Sequence, residues 1–537
     1  MGIYVGIDVG TTAVKALAVD ELARVVAVAS RQYECQTPAP GWSEQDAEDW
    51  WRLTCECVRE VAGAVGQPIE ALAVSTQGDT MVPLDAAGKP LAPAITWMDT
   101  RTLAQVAQME REGELWFETT GATPAAFSAA TSIMWWREQR PEVFAQAARF
   151  ALVADFIIER LTGKAMVDAP NASRTLLYDI RKREWSAELL ERVGVERGRL
   201  AEVGESGTVV GGVLEDVVAQ LGVRAGTPVA LGGHDQTCAA IGCGVIEPGS
   251  LMLSCGTAWV VLAATAEPVW DESRSLHSYC HAVPGAYVSL GAFAGGNLLR
   301  WFRDELWGGG NGGNGNGTNG MNGTISPHPR PSPAEDLGRG EKVKGNGPFD
   351  VSGGDAAYEA ITAEAEVALL AGRPPLIFLE HFYGASGPVA CREARGGWAG
   401  LTLAHTRGDM ALALLEGVAL QAAWCAESLA RQGAPVEQVR MIGGGARSRF
   451  WAQLVADALQ RPVTLPVVSE AAALGAALIA ATAVGRFGSL QEAAGEVAIA
   501  GEVRPQRAAN PQALRRLAKL MTALKPVWEE LGGRERR

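Results

Sequence analysis

Positive charge is scarce in this chain. Forty-seven Lys and Arg stand against 61 Asp and Glu, a formal net charge of −14. That balance suits a soluble protein and argues against non-specific nucleic-acid binding. Long apolar runs are missing too. The longest Ala-rich one, residues 471–485, is short for a membrane span and reads as a buried, closely packed helix. The N-terminus, MGIYVGIDVG, has no basic segment leading into an apolar run, so no signal peptide is expected. The nine cysteines are an odd number without repeated metal-like spacing. Reduced, mostly buried thiols in a cytoplasmic protein are therefore expected, with no nucleic-acid or membrane partner.

What is present is the composition of a globular protein, 47% hydrophobic and 20% charged. The 537 residues exceed what one core usually holds. Length alone suggests about three domains, and large α/β units reduce that to two.

Short β-rich runs alternate with helical spacing, which predicts an α/β fold. YVGIDVG and ALAVD read as a hairpin, with VVAVASRQYEC as a third strand. Residues 46–62 follow helical spacing, with Trp50, Leu53, Cys57, Val58 and Val61 on one side. IEALAVSTQ is a strand running into a polar loop. GSLMLSCGTAWVVLA repeats the opening pattern of strand, Gly-Thr turn and strand. Two domains of related design follow, 1–245 and 246–537. Residues 308–350, rich in Gly, Asn and Pro, cannot bury enough apolar surface to offset chain entropy, so a disordered surface insertion is expected there.

Four polar constellations fall at strand ends, where open α/β sheets place ligands. In the first, Asp8, Gly10, Thr11, Thr12 and Lys15 form a turn whose backbone N–H groups and hydroxyls suit phosphate. A carboxylate there repels phosphate unless a cation intervenes, so Asp8 implies Mg2+ held through water. The same letters also make an ordinary hairpin turn, and no Gly-Lys-Ser/Thr follows to make a Walker loop. The second is GGHDQ, where Asp235 can accept a proton from a hydroxyl that attacks phosphorus, or can merely cap a helix beginning at Gln236. The third, Gly256 and Thr257 in SCGTA, would clamp a polyphosphate from the opposite side, or be a second hairpin. The fourth, GGGARS, offers glycine backbone to a flat ring or a phosphate, or simply packs a strand tightly on a helix.

Taken together these motifs resemble the FGGY carbohydrate kinases, within the actin-like, ribonuclease-H-like ATPase superfamily. GIDVGTTAVKA, GWSEQDAEDWW, PAITWMDTR, GGHDQTCAAIGCG, SCGTA and IGGGARSRFWAQLVAD occur in that family's order. GGWAGLTLAHTRGDMALALLE is similar to its second-domain signature. The likeness covers the whole chain except 308–350. It implies two ribonuclease-H-like domains flanking a central cleft. It also implies ATP- and Mg2+-dependent phosphorylation of a sugar or polyol hydroxyl. By that resemblance Asp235 is the general base, and Gln77, Asp79, Asp235 and Gln236 meet the acceptor. Asp8 and Asp235 would hold Mg2+. Gly10, Thr11, Thr12 and Lys15 form the first phosphate loop, and Gly256 and Thr257 the second. Gly296, Gly444, Gly445 and Ser448 would lie along the nucleotide.

Acceptor choice is expected in STQGDTMVPLD. Glycerol kinases carry Arg-Glu, and xylulose kinases Met-His, where this chain has Gly78 and Asp79. The glycerol kinases' substrate tyrosine falls at Ala126, which argues against glycerol. The chain reads nearest the xylulose kinase branch. Gly78 is expected to leave room for a larger acceptor, and Asp79 to accept hydrogen bonds from sugar hydroxyls or to be a solvated loop charge. Trp135 and Trp136 are expected in the core. The favoured acceptor is a ketopentose such as xylulose, with a hexulose, deoxysugar or tetritol as alternatives. An actin-like ATPase without a small-molecule acceptor is the rival class. A homodimer is compatible with the sequence.

Overall fold

The computed structural model describes residues 2–307, 355–382, 384, 391, 393–508 and 510–535. The reading of 308–350 lies outside the described residues.

All seven residues of β1 (Ile3–Val9) are buried, Asp8 included. It pairs antiparallel with β2 (Ala13–Val19), which pairs antiparallel with β3 (Val25–Gln32). The Gly10 N–H closes the intervening turn on the Ala13 carbonyl at 3.0 Å. β4 (Ile69–Thr76) joins β1 in parallel, and β6 (Pro228–His234) joins β4 in parallel. β5 (Val209–Gly212) closes that edge, giving the order β5-β6-β4-β1-β2-β3.

Helix α1 (Ala47–Val65) covers this sheet. Asp46 caps it by accepting from the Glu48 N–H, and Gly66 ends it at φ 60°. Trp50, Leu53, Cys57, Val58 and Val61 form the expected buried face. Each such side chain contributes about 1.5–3 kcal/mol by leaving water.

The second sheet repeats the path. β7 (Ser250–Cys255) and β8 (Ala258–Thr265) form a hairpin, and β10 (Tyr287–Ala294) pairs with β8. β9 (His277–Cys280) lies outside β10. β11 (Gln438–Ile442) joins β7 in parallel, β12 (Val463–Pro466) joins β11, and β13 (Ile499–Val503) closes the edge. The faint sequence echo thus corresponds to one topology used twice: a hairpin, a third antiparallel strand, then two parallel additions on the other side.

Helix α5 (Arg407–Arg431), packed on α4 (Asp355–Ala371), is long and apolar enough to cross a bilayer, but its Leu414, Leu415, Val418 and Leu429 are covered by the second core. Trp135 and Trp136 are buried as expected; Trp135 meets Trp42 edge-on at 5.6 Å. All nine cysteines are free thiols, eight buried and Cys35 partly so.

The Ala-rich run forms helix α7 (Ala471–Ala483), covered from Ala473 to Ala481. It packs on β1 of the first sheet and crosses α3 (Asp235–Gly242). The two sheets are therefore joined through a pair of crossed helices, one leaving each half.

Candidate active site

Register sets the site. Val9 lies opposite Thr76, and Thr76 opposite His234. The carboxyl ends of three parallel strands therefore reach one edge together and carry Asp8, Gln77 and Asp235 there.

Asp8 accepts from the Ser75 hydroxyl at 2.9 Å. Burial pushes its carboxyl up to about 6, against the Ser75 hydrogen bond and the Lys15 charge, with Glu470 adding to the rise. Asp235 opens α3 and keeps 29% of its side chain exposed. The Gln236 N–H donates to its Oδ1 at 2.6 Å. Burial raises the Asp235 carboxyl to about 7; the Asp8 charge adds, Arg174 opposes, and Asp79 adds a little more.

The helix starts one residue earlier than expected, and its cap is His234. Its Nδ1 accepts from the Gln236 N–H at 3.1 Å. Burial, then Arg174, hold this imidazole well below its ordinary value, so it is neutral near pH 7. The Gln236 N–H is thus shared between His234 Nδ1 and Asp235 Oδ1, which leaves Asp235 Oδ2 without a hydrogen bond to any described residue. The Gln236 Oε1 is buried without a partner among the described residues.

Asp8 and Asp235 are like charges near enough to interact, and such a pair suits a divalent cation between them. Mg2+ needs only one or two carboxylates, with water and phosphate oxygens completing its shell. Among the described residues no cluster of three or more His, Cys, Asp or Glu forms a self-contained metal cage. The donor set fits Mg2+ shared with a phosphate.

The first turn is braced from below. The Tyr33 hydroxyl donates to the Gly10 carbonyl, and Gln45 Nε2 donates to the Thr11 carbonyl at 2.7 Å. The Trp97 indole N–H reaches Thr11 Oγ1 at 2.8 Å, and Thr12 is exposed. Lys15 is ion-paired with Glu470, the residue before α7. Gln77 is 2% exposed; its Nε2 donates to Gln45 Oε1 at 2.8 Å, and its Oε1 is buried without a partner among the described residues.

The second turn meets the glycines expected near it. The Gly296 N–H donates to the Gly256 carbonyl at 3.1 Å, and the Asn297 N–H to the Thr257 carbonyl at 2.9 Å. A Cβ on Gly296 would sit 2.3 Å from that Gly256 oxygen, so no larger residue fits. Gly443 turns at φ 86° against the Cys255 backbone, placing Gly444 and Gly445 beside the same strand end. Gly256, Thr257 and Gly444 are exposed. Ser448 caps helix α6 (Arg449–Leu459) by accepting from the Trp451 N–H at 3.2 Å, which engages its hydroxyl.

Two expectations for the acceptor loop need correction. Gly78 does not open the pocket. A Cβ there would meet His234 Cδ2 at 2.4 Å and Arg174 Nε at 3.1 Å, so the chain's own side chains fill the space. Asp79 is not a solvated charge either. It is buried at φ 65°, a left-handed conformation uncommon outside glycine, and Arg174 Nη2 donates to its Oδ2 at 2.8 Å. Arg174, Tyr279 and His277 were not singled out in the sequence. They come from NASRT and HSYC, stretches with no metal, nucleophile or glycine-loop spacing, and only the fold brings them to Asp79.

Two domains of one topology with polar turns at matching strand ends define a class. The sequence matches the N-terminal domain of the FGGY family of carbohydrate kinases over residues 3–242 and the C-terminal domain over 251–484. The chain belongs to that family. It is a phosphotransferase with an alcohol acceptor, and the family implies ATP as donor. It is 29% identical over 499 residues to xylulose kinase of Bacillus subtilis, covering 92% of this chain and 91% of that one. It is 30% identical over 497 residues to glycerol kinase of Thermococcus onnurineus, covering 90% of each. The crystal structure of xylulose kinase from Rhodospirillum rubrum superposes with a TM-score of 0.85 at 27% identity, over 98% of this chain and 100% of that one. The fold is thus the two-domain, ribonuclease-H-like architecture of the actin-like ATPases, with the cleft between the domains.

Proposed function

We propose that the protein transfers the γ-phosphate of ATP to a hydroxyl of a ketopentose such as xylulose, or of a related sugar or polyol. In this reading residues 1–245 bind the acceptor and carry the first phosphate loop, and residues 246–537 bind the nucleotide. One arrangement carries it: Asp235 stands partly open at the strand edge, within electrostatic reach of Asp8, and burial raises its carboxyl to about 7.

A base near neutrality is matched to removing a hydroxyl proton as the oxygen attacks phosphorus. Phosphoryl transfer otherwise needs position and charge neutralisation more than covalent help. Asp8 and Asp235 would hold Mg2+, which when bound neutralises phosphate charge. Gly10, Thr11 and Thr12 offer donors from one side, Gly256 and Thr257 from the other. Gly296, Gly444 and Gly445 leave backbone bare for the nucleotide. Lys15 reaches phosphate by leaving Glu470, and Gln77 and Gln236 each hold a buried amide oxygen in reserve for acceptor hydroxyls. Ser448 contributes through the helix it caps. The reaction places the enzyme in the cytoplasm, where ATP is abundant.

Ala126 supplies no hydroxyl, which favours a ketose over glycerol. The test is a panel of xylulose, ribulose, a hexulose, a deoxysugar, erythritol and glycerol with Mg·ATP. Acceptor-dependent ADP release is expected, greatest with a ketopentose. Release that ignores the acceptor would instead mark an ATPase.

A pH profile follows from the same carboxyl. The base works only when ionised, so kcat/KM for the acceptor should rise with pH and level off above about 7. A bound cation favours the carboxylate and moves this limb downward, never upward. Activity that increased on acidification from pH 8 to 6 would remove Asp235 from the role.

A further inference from the structure

Arg174 ends a short helix, α2 (Ala169–Arg174), whose first turn is fixed by Asp168 accepting from the Asn171 N–H at 2.8 Å. Its guanidinium is held on three sides. Nε and Nη2 donate to Asp79 Oδ2 at 3.2 and 2.8 Å. The Tyr279 ring lies 4.5 Å from its carbon. The bare backbone of Gly78 lets Nε approach, to 3.1 Å from where a Cβ would stand. Tyr279 is itself anchored, since its hydroxyl meets His277 Nδ1 at 3.1 Å and His277 Nε2 meets Thr123 Oγ1 at 3.1 Å. β9 of the second half thus fixes a cation supplied by the first.

The held group is not used up. Nη1 makes no hydrogen bond to any described residue. The Arg174 side chain remains 14% exposed, whereas Asp79 beneath it is 1% exposed. Arg174 also lies within electrostatic reach of Asp235. An oriented guanidinium with free N–H groups within electrostatic reach of Asp235 can donate to a substrate oxygen and cannot accept a hydrogen bond. Asp79 neutralises it locally, so the pair carries no net positive charge to draw a carboxylate on the acceptor.

We propose that Arg174 is a specificity-determining acceptor contact, with Asp79 as its positioning residue, donating from Nη1 to a carbonyl or hydroxyl oxygen of an uncharged polyhydroxy acceptor. This rests on the kinase reading above. It moves the reading of acceptor oxygens from the predicted loop carboxylate to an arginine 95 residues further along.

The test compares the wild type with Arg174→Gln, Arg174→Lys, Asp79→Asn and the double Asp79→Asn/Arg174→Gln. Acceptors are xylulose, ribulose, erythritol, glycerol and gluconate, and thermal melts are recorded for each protein. The wild type should prefer a neutral acceptor to gluconate. Arg174→Gln should raise the acceptor KM about 30-fold, the loss expected for a hydrogen bond from a charged donor, with a smaller change in kcat. Arg174→Lys should recover part of the loss. Asp79→Asn should raise KM less than Arg174→Gln. Should a single change leave a buried charge unpaired and unfold the protein, the double variant keeps the pair neutral and should show the same KM defect. Acceptor KM within twofold of wild type in a folded Arg174→Gln or double variant overturns the proposal, as does a preference for gluconate. Wild-type turnover with unaffected variants sinks this inference alone. A wild type that releases ADP with none of these acceptors overturns it together with the kinase reading.

Discussion

Asp235→Asn should lower kcat for phosphoryl transfer by about 10³-fold or more, while making the protein more heat-stable above neutral pH. The loss follows from chemistry. Asparagine has the same shape and can keep the Gln236 N–H bond that Asp235 Oδ1 now accepts, but it cannot take a proton. The gain follows from linkage. A carboxyl raised to about 7 from an ordinary 3.8 binds its proton more tightly in the folded state. Its stabilising effect is complete below the unfolded value and fades as pH rises to about 7. Above that the ionised group opposes folding by a constant amount, caused by burial and by Asp8. Asparagine removes this opposition, so the difference in melting temperature should be near zero at pH 4 and reach about 2–5 °C at pH 8 without Mg2+. Scanning calorimetry at both pH values, with turnover at saturating acceptor, reads both effects. A variant that keeps a tenth of wild-type kcat would remove Asp235 as base. A variant less stable than wild type at pH 8 would show that the carboxylate is structurally required.

Local chemistry made some of this site legible in the sequence. A buried strand with an aspartate in it, followed by glycine and threonines, has few uses, and β1 with its turn is where that pattern led. The repeat of that pattern at Cys255 to Thr257 was equally readable, because a hairpin is a local object. The acceptor side was not. Gly78 and Asp79 looked like an open, polar loop because nothing nearby in sequence fills it. His234 and Arg174 fill it from more than ninety positions away. Arg174 sits in an ordinary polar stretch, and its role depends on Tyr279, which arrives from the other half of the chain. Lys15 could be proposed from its turn as a cation for phosphate, but its pairing with Glu470 was not legible, since that contact spans 455 positions. Motifs made of neighbours can be read from letters, whereas pairs created by the crossing of two domains require the fold.

That crossing can be tested at one atom. Gly475→Ala should lower the melting temperature by about 5–10 °C and kcat/KM by about 100-fold, although alanine is the better helix former. In α7 a Cβ on Gly475 would lie 1.8 Å from the Cys238 carbonyl oxygen and 3.0 Å from the Gly242 nitrogen. In α3 a Cβ on Gly242 would lie 2.1 Å from the Ala471 carbonyl oxygen. On β1 a Cβ on Gly6 would lie 1.9 Å from the Ala473 carbonyl oxygen. These obstacles are backbone atoms of regular elements, so no rotamer change relieves them and the helices must move apart. The displacement begins three residues after Asp235 and five after Glu470, the partner of Lys15. It therefore reaches Asp235, the proposed base, and the proposed phosphate turn together, and a misplacement of about 1 Å is enough to cost two orders of magnitude in rate. Gly63→Ala is the control. Gly63 is exposed in α1, with nothing within 4 Å of an added Cβ, so the same substitution there should stabilise by about 0.5–1 kcal/mol and leave turnover unchanged. If Gly475→Ala behaved like Gly63→Ala, the two helices would not be in backbone contact, and the coupling of base and phosphate turn through their crossing would fail.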